Sequence, residues 1–192
     1  MEEYFKTHLW YKNSLKNRKK EFQWMHFQYK KDLKDYLNKL PTSKILEIWC
    51  WDWKFAYFCN KIWVKSYIWI DIDDYFFELC KKEYPNYKFI KESFQNYLRE
   101  NENEFDIIFV SHVFEHLDEK ERIEMIESIY WWLKKEWVRI NYMPNANNFL
   151  YASSIRYWDI THKTIYTENS FSQTVHSTNL PFEIINKNIC MM

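Results

Sequence analysis

The sequence of 192 residues contains no glycine at all. A globular chain of this length ordinarily carries roughly 7% glycine, on the order of 13 residues. Tight turns and close approaches of the backbone to a ligand depend on this residue, because it has no Cβ. Its absence excludes the usual form of any glycine-rich, ligand-binding turn. Tryptophan occurs 11 times, which is close to the number of glycines expected.

Three other features are absent. The 27 basic and 27 acidic residues leave no net charge, so no overall field attracts nucleic acid or an anionic membrane, and we expect no nucleic-acid partner. No apolar run reaches the about 20 residues of a membrane span, and no signal-peptide pattern opens the chain, which predicts a cytoplasmic protein. No CxxC pair occurs, so we expect buried thiols in a reducing compartment and neither a disulfide nor a metal site; the cysteines are Cys50, Cys59, Cys80 and Cys190.

Strand and helix patterns alternate along most of the chain. After a charged, helix-forming segment (1–40), the remainder (41–192) is long enough for one domain with a full core. The predicted strands are 44–48, 66–72, 87–90, 105–111 and 137–143, and the predicted helices are 55–61, 75–83 and 119–134. This order predicts an α/β fold with a doubly wound, mostly parallel, Rossmann-like sheet.

The segment I-L-E-I-W-C-W-D-W (45–53) runs from an apolar strand into a helix. With glycine in place of each tryptophan it reads I-L-E-I-G-C-G-D-G, the pattern of a cofactor-binding turn. The abundance of Lys, Asn, Ile, Tyr and Phe, with only three Ala, is typical of an AT-rich genome. We therefore hypothesise that a UGA codon read here as tryptophan is read as glycine by the source organism. The alternative is that all the tryptophans are genuine and that indoles block the site.

Two acids accompany this turn. Glu47 precedes it, and Asp71 ends the second strand, eighteen residues after Trp53. An acid at that spacing accepts hydrogen bonds from ribose hydroxyls in nucleotide-binding sheets. The alternatives are that Glu47 caps a neighbouring loop and that Asp71 caps the next helix.

Five segments, taken in order, resemble class I S-adenosylmethionine-dependent methyltransferases. L-E-I-W-C-W-D-W is similar to their first motif, I-W-I-D-I-D to their second-strand acid motif, and F-D-I-I-F-V-S-H-V-F-E-H-L to their fourth-strand motif. W-W-L-K-K-E-W-V-R-I-N-Y-M-P-N-A-N resembles the segment around their fifth strand, and R-Y-W-D-I-T-H resembles a segment of members found with sugar and surface-glycan pathways. The likeness covers about residues 44–185 and departs at eight or nine glycine positions, all occupied by tryptophan. A dinucleotide-dependent dehydrogenase fits less well, because its later segments differ.

The resemblance implies S-adenosylmethionine as cofactor and assigns residues to it. Glu47 would orient the turn near the methionine amino group, Asp71 would hold the ribose, and Ile72 would pack on the adenine. Glu92 and Ser93 would lie near the adenine edge, although the family's usual Gly-Asp pair is Lys-Glu here. The full cofactor-binding set is Glu47, Trp49, Trp51, Trp53, Asp71, Ile72, Glu92, Ser93 and Ser111.

Three histidines are candidates for the chemistry. Methyl transfer from a sulfonium relies mainly on positioning, but an alcohol acceptor must also lose a proton, which suits a histidine. His112 follows the fourth strand beside the expected methyl position, and His162 lies in a polar loop after the fifth strand, where acceptors bind. We interpret His116 as structural. The expected activity is O-methylation of a small polar acceptor such as a sugar, and the alternative is a catalytically silent, methyltransferase-like binding domain.

The end of the sequence bears on the sheet. A complete class I sheet has a sixth and a seventh strand that form an antiparallel hairpin. Residues 182–186 have strand character, but the six residues that follow are too few for a turn and a further strand. We therefore expect the last strand to be missing, which would leave the fifth strand with an unpaired edge.

Overall fold

The computed structural model describes residues 18–48, 53–72, 74–98, 104–147 and 161–182. Strands and helices alternate through these ranges, as the sequence predicts. The strands are β1 (Lys44–Ile48), β2 (Ser66–Asp71), β3 (Lys88–Lys91), β4 (Phe105–Ser111) and β5 (Leu133–Tyr142). The helices are α1 (Arg18–Asp32), α2 (Lys54–Lys61), α3 (Asp74–Glu83), α4 (Phe94–Leu98), α5 (Glu119–Trp132) and α6 (Glu168–His176), with short 3-10 turns at Leu40–Thr42 and Phe114–His116.

The five described strands form one sheet in the order β3-β2-β1-β4-β5, and every neighbouring pair is parallel. The chain builds outward from β1 through β2 to β3, then crosses back to place β4 on the other side of β1. Ile48, at the end of β1, lies opposite Ile70 of β2 and Val110 of β4. In such a sheet the ligand crevice opens at the carboxyl ends of the strands where this reversal occurs. The predicted fold class is confirmed.

Both faces of the sheet are covered, because alternate strand residues point to opposite sides. On one face Ile45 and Trp69 pack with Phe22 of α1 and Phe58 of α2. On the other face the buried residues Leu46, Ile70 and Val110 pack with α5 residues, among them Ile126. β1, β2 and β4 are therefore buried along nearly their whole length, as expected of strands covered on both sides.

Most element boundaries agree with the sequence pattern, and two regions differ. β1 and β4 begin and end at the predicted residues, whereas β5 begins at Leu133, inside the predicted helix 119–134. Leu133 pairs with Phe105, and the Lys134 ammonium binds Asp106 Oδ1 at 2.6 Å, so tertiary contacts pull this segment into the sheet. Helices α4 and α6 were not predicted; α6 begins with a capping box between Thr167 and Ser170.

The predictions for the two ends of the chain lie partly outside the described residues. Helix α1 occupies part of the predicted helical segment, and residues 1–17 are outside the description. Phe182 is described and is not in a strand, while the rest of the predicted sixth strand lies outside. Among the described strands, β4 alone pairs with β5. None of the helices in the described ranges combines the length and apolarity that a membrane crossing requires.

The end of helix α2 shows what the absence of glycine does to the backbone. The N–H of Val64 donates to the Cys59 carbonyl at 3.0 Å and that of Trp63 to the Asn60 carbonyl at 3.2 Å. This pair of bonds defines a Schellman motif, whose left-handed residue is usually glycine. Here that residue is Trp63, with φ 62° and 82% of its surface exposed.

Candidate active site

Three polar side chains predicted from the sequence share one face at the carboxyl ends of the central strands. Glu47 lies on β1, Asp71 on β2 and Ser111 on β4. Because side chains alternate along a strand, all three point to the face of the sheet that is covered by α1 and α2. Glu47 is 1% exposed and Asp71 is 3% exposed. The Tyr67 hydroxyl donates to Glu47 Oε2, so this acid is held inside the sheet. Buried carboxylates are expensive to maintain unless they are hydrogen-bonded, and in this type of sheet the ligand crevice opens at the edge where these two lie.

Trp53 stands where the turn meets helix α2. As the residue before the helix it has φ 45° and ψ 18°, a left-handed conformation that disfavours any residue with a Cβ. We predict from the sequence that at least one tryptophan of the turn is strained in this way, and Trp53 confirms it. Its indole is buried and meets the ring of Phe22 edge-on, with the centroids 6.0 Å apart. Trp49 and Trp51 lie outside the described residues.

The end of β2 carries a buried acid followed by an exposed apolar residue. Asp71 is the last residue of the strand, and its carbonyl accepts the N–H of Glu92 at 3.0 Å, which ties the ends of β2 and β3 together. Ile72, the next residue, is 58% exposed although it is apolar. A buried acid followed by an exposed apolar side chain fits a ribose and an adenine, respectively.

Glu92 and Ser93 lie just beyond β3. Burial, and to a lesser extent the Glu92 carboxylate, raise the pKa of Tyr97. The Ser93 hydroxyl accepts the N–H of Asn96 at 3.4 Å, and its carbonyl accepts the N–H of Tyr97. Ser93 therefore precedes helix α4, and its hydroxyl serves the start of that helix.

The end of β4 carries a histidine in a strained conformation. His112 has φ 54°, and its N–H donates to the Tyr142 carbonyl at the end of β5, at 2.8 Å. Its Nδ1 lies 3.1 Å from Oε1 of Glu115. Strained backbone of this kind concentrates at functional sites, where neighbouring structure holds it in place. A carboxylate on Nδ1 favours the tautomer that presents a lone pair at Nε2.

Glu115 joins two distant parts of the chain. Its side chain is fully buried, and its carbonyl accepts the N–H groups of Lys163, at 2.7 Å, and Thr164, at 3.1 Å. These bonds bring the loop after β5 against the end of β4. As a result the rings of His116 and His162 meet with centroids 4.8 Å apart, and Thr161 Oγ1 lies 2.8 Å from Nδ1 of His116.

The structure thus places two predicted histidines in one neighbourhood and adds residues that the sequence analysis did not select. His112 contacts Glu115 and His162 contacts His116, whereas the sequence pattern predicts no role for Glu115 and only a structural one for His116. The sequence signal for this pair was the E-H within S-H-V-F-E-H-L, but spacing alone could not show that residues 161–164 return to it. The thiols of Cys59 and Cys80 are buried, as predicted, whereas Cys50 and Cys190 lie outside the described residues.

Part of the chain and its overall fold are similar to those of known methyltransferases. Residues 45–136 match the family described as "Methyltransferase domain". The fold is similar to a SAM-dependent methyltransferase from Archaeoglobus fulgidus (22% identity, TM-score 0.67), over 80% of this chain and 68% of that one. It is also similar to the YcgJ protein from Bacillus subtilis (15% identity, TM-score 0.60), over 80% of this chain and 70% of that one. An S-adenosylmethionine-dependent methyltransferase from Mesorhizobium loti matches over 81% of this chain and 82% of its own, with 10% identity and a TM-score of 0.57. No curated protein sequence matches the chain.

Proposed function

We propose that this chain, a class I S-adenosylmethionine-dependent methyltransferase, transfers a methyl group to an oxygen atom of a small polar acceptor such as a sugar. The observation that carries the proposal is the His112–Glu115 pair at the end of β4, beside Ser111. In this fold the crevice at the strand ends receives the ligands, and β4 adjoins the central strand β1. A histidine held by a buried carboxylate is suited to accept the proton of a hydroxyl group.

The residues at the strand ends fit the cofactor in two respects. Asp71 offers a buried carboxylate to the ribose hydroxyls, and Ile72 offers an exposed apolar side chain to the adenine. Trp53 fits less well, because its backbone has a glycine-like conformation while its side chain is an indole that packs against α1. Glycine at this position would keep the backbone conformation without strain, which supports the hypothesis of a recoded codon.

The chain's own residues would act on the acceptor in a defined order. Bound S-adenosylmethionine supplies a methyl group on a positively charged sulfur, which an oxygen nucleophile can take by in-line displacement. Most of the rate would come from holding the acceptor oxygen in line with that methyl group. As the new C–O bond forms and the C–S bond breaks, the hydroxyl proton passes to Nε2 of His112. Glu115 then stabilises the imidazolium through Nδ1.

Transfer of tritiated methyl groups to a panel of sugars and nucleotide sugars tests the proposal. We expect incorporation that falls by about 10²–10⁴-fold in His112→Gln, because a positioned base contributes about that factor. The matched control is His176→Gln, an exposed histidine on α6, which should retain full activity. Incorporation into amine acceptors alone would contradict O-methylation.

The alternative is a catalytically silent domain that binds a ligand or partner without turnover. It predicts no methyl incorporation into any acceptor, even in a variant that carries glycine at positions 49, 51 and 53. Methyl transfer by that variant would exclude the silent reading.

A further inference from the structure

Glu115, which supports His112 in the proposed chemistry, forms a compact cluster with two histidines that this chemistry leaves unused. Glu115, His116 and His162 each place one possible ligand atom so that all three atoms lie within 4.8 Å of one another. Glu115 and His116 belong to the 3-10 turn after β4, and His162 lies in the loop that Glu115 anchors through its carbonyl. Two imidazoles and one carboxylate therefore converge from two separate segments.

The carboxylate of Glu115 has one oxygen without a partner among the described residues. The side chain is fully buried; Oε1 faces His112 Nδ1 at 3.1 Å, and Oε2 makes no hydrogen bond with the described part of the chain. A buried carboxylate oxygen without a compensating partner destabilises a fold, since its desolvation is not repaid. A cation bound at Oε2 would remove this penalty.

We propose that Glu115, His116 and His162 bind a divalent transition-metal cation. Two histidines and one carboxylate form a donor set that Zn²⁺ and Fe²⁺ accept while coordination positions remain open to other ligands. His116 also has the support that such sites use, because Thr161 Oγ1 contacts its Nδ1 at 2.8 Å and can fix the ring orientation. Imidazole donors favour first-row transition metals over Ca²⁺ or Mg²⁺.

The cation would act on the acceptor rather than on the methyl donor. Glu115 contacts His112, the proposed base, so a cation held by Glu115 would lie near the place where the acceptor loses its proton. The cation would act there as a Lewis acid on a hydroxyl oxygen of the acceptor, which would lose its proton more readily. This role rests on the proposed function, whereas metal binding itself does not.

Metal titration in the absence of S-adenosylmethionine tests the site directly. Co²⁺ is added to the full chain while its visible absorption is recorded, and Zn²⁺ retained after dialysis is measured by elemental mass spectrometry. We expect one metal ion per chain and a loss of affinity of at least tenfold in His162→Ala and in Glu115→Gln. His176→Ala, a histidine outside the cluster, should bind as the unchanged chain does.

Two results would overturn the proposal. One is that neither Co²⁺ nor Zn²⁺ binds the unchanged chain, and the other is that His162→Ala retains its full affinity. His162 lies in a partly exposed loop, so this variant keeps the test valid if Glu115→Gln fails to fold. Because no methyl donor is present in this titration, a failure to bind metal does not contradict the proposed methyl transfer. Likewise, a failure of methyl transfer does not contradict metal binding.

Discussion

Replacement of Trp63 by glycine is expected to yield a more stable protein than replacement of the same residue by alanine. Trp63 follows helix α2 with φ 62°, and the Schellman hydrogen bonds of Val64 and Trp63 hold it there. Both substitutions remove the same indole, which is 82% exposed and therefore packs little against the domain. The two variants differ in the Cβ, which alanine keeps and glycine lacks.

The size of the difference follows from the backbone conformation. A residue with a Cβ in the left-handed region costs roughly 1–2 kcal/mol relative to its right-handed conformation, whereas glycine adopts both about equally well. Alanine restricts the unfolded chain more than glycine does, which reduces the advantage by roughly 0.4–1 kcal/mol. We expect a net difference of about 1 kcal/mol in favour of glycine. For a chain of this size that corresponds to a Tm higher by roughly 2–4 °C.

Trp24 provides the matched control. It is 51% exposed and lies within helix α1, where the backbone is right-handed. At position 24 the glycine variant should therefore be less stable than the alanine variant by about 1 kcal/mol, a difference opposite in sign to that at position 63. Urea unfolding of the four variants measures both differences. If alanine equals or exceeds glycine at position 63, the argument that this position is built for glycine is wrong.

Three further predictions follow from the site and its surroundings. Glycine at positions 49, 51 and 53 together should raise the affinity for S-adenosylhomocysteine, and mass spectrometry of the natural protein should find glycine rather than indole at these positions; an indole at position 51 would remove the recoding hypothesis. Asp71→Ala should weaken cofactor binding by roughly 1.5–3 kcal/mol, the usual worth of a hydrogen bond to a charged group, with the fold intact; unchanged affinity with lost stability would make Asp71 a helix cap. The N–H of Glu121 lowers the pKa of Asp118 below its ordinary value of 3.8, so the cap of α5 stabilises the protein fully above that value and loses its effect as the pH falls through the lowered pKa. Asp118→Ala should therefore be less stable than the unchanged chain at pH 7, with a difference that narrows in acid unfolding titrations as the pH falls below 3.8 and through the lowered pKa; a difference that stays constant over that range would refute the assignment.

The sequence predicted the sheet well because its strands are short apolar runs bounded by polar turns. β1 and β4 were located to the residue, since buried parallel strands read as continuous apolar segments. The start of β5 was missed because Leu133–Glu136 continues the helical pattern of α5 in sequence, while its pairing with Phe105 is a tertiary contact. Local propensity does not contain that information.

The site was predictable where it depends on strand ends and unpredictable where it depends on a loop that folds back. Glu47, Asp71 and Ser111 could be grouped because the carboxyl ends of parallel strands share one edge. The cluster of Glu115, His116 and His162 could not, because it requires the backbone bonds from Lys163 and Thr164 to the Glu115 carbonyl. Such a long-range return of the chain leaves no periodic signal in the sequence.

Titration calorimetry with S-adenosylhomocysteine tests the central claim most directly. The titration uses the chain as it stands and the variant with glycine at positions 49, 51 and 53, because indoles in the turn could weaken binding without altering the fold. We predict one binding site per chain in the glycine variant, with a Kd on the order of micromolar. This Kd corresponds to a binding free energy of about −8 kcal/mol. A glycine variant that is folded, as judged by circular dichroism, and that binds no S-adenosylhomocysteine would contradict the account.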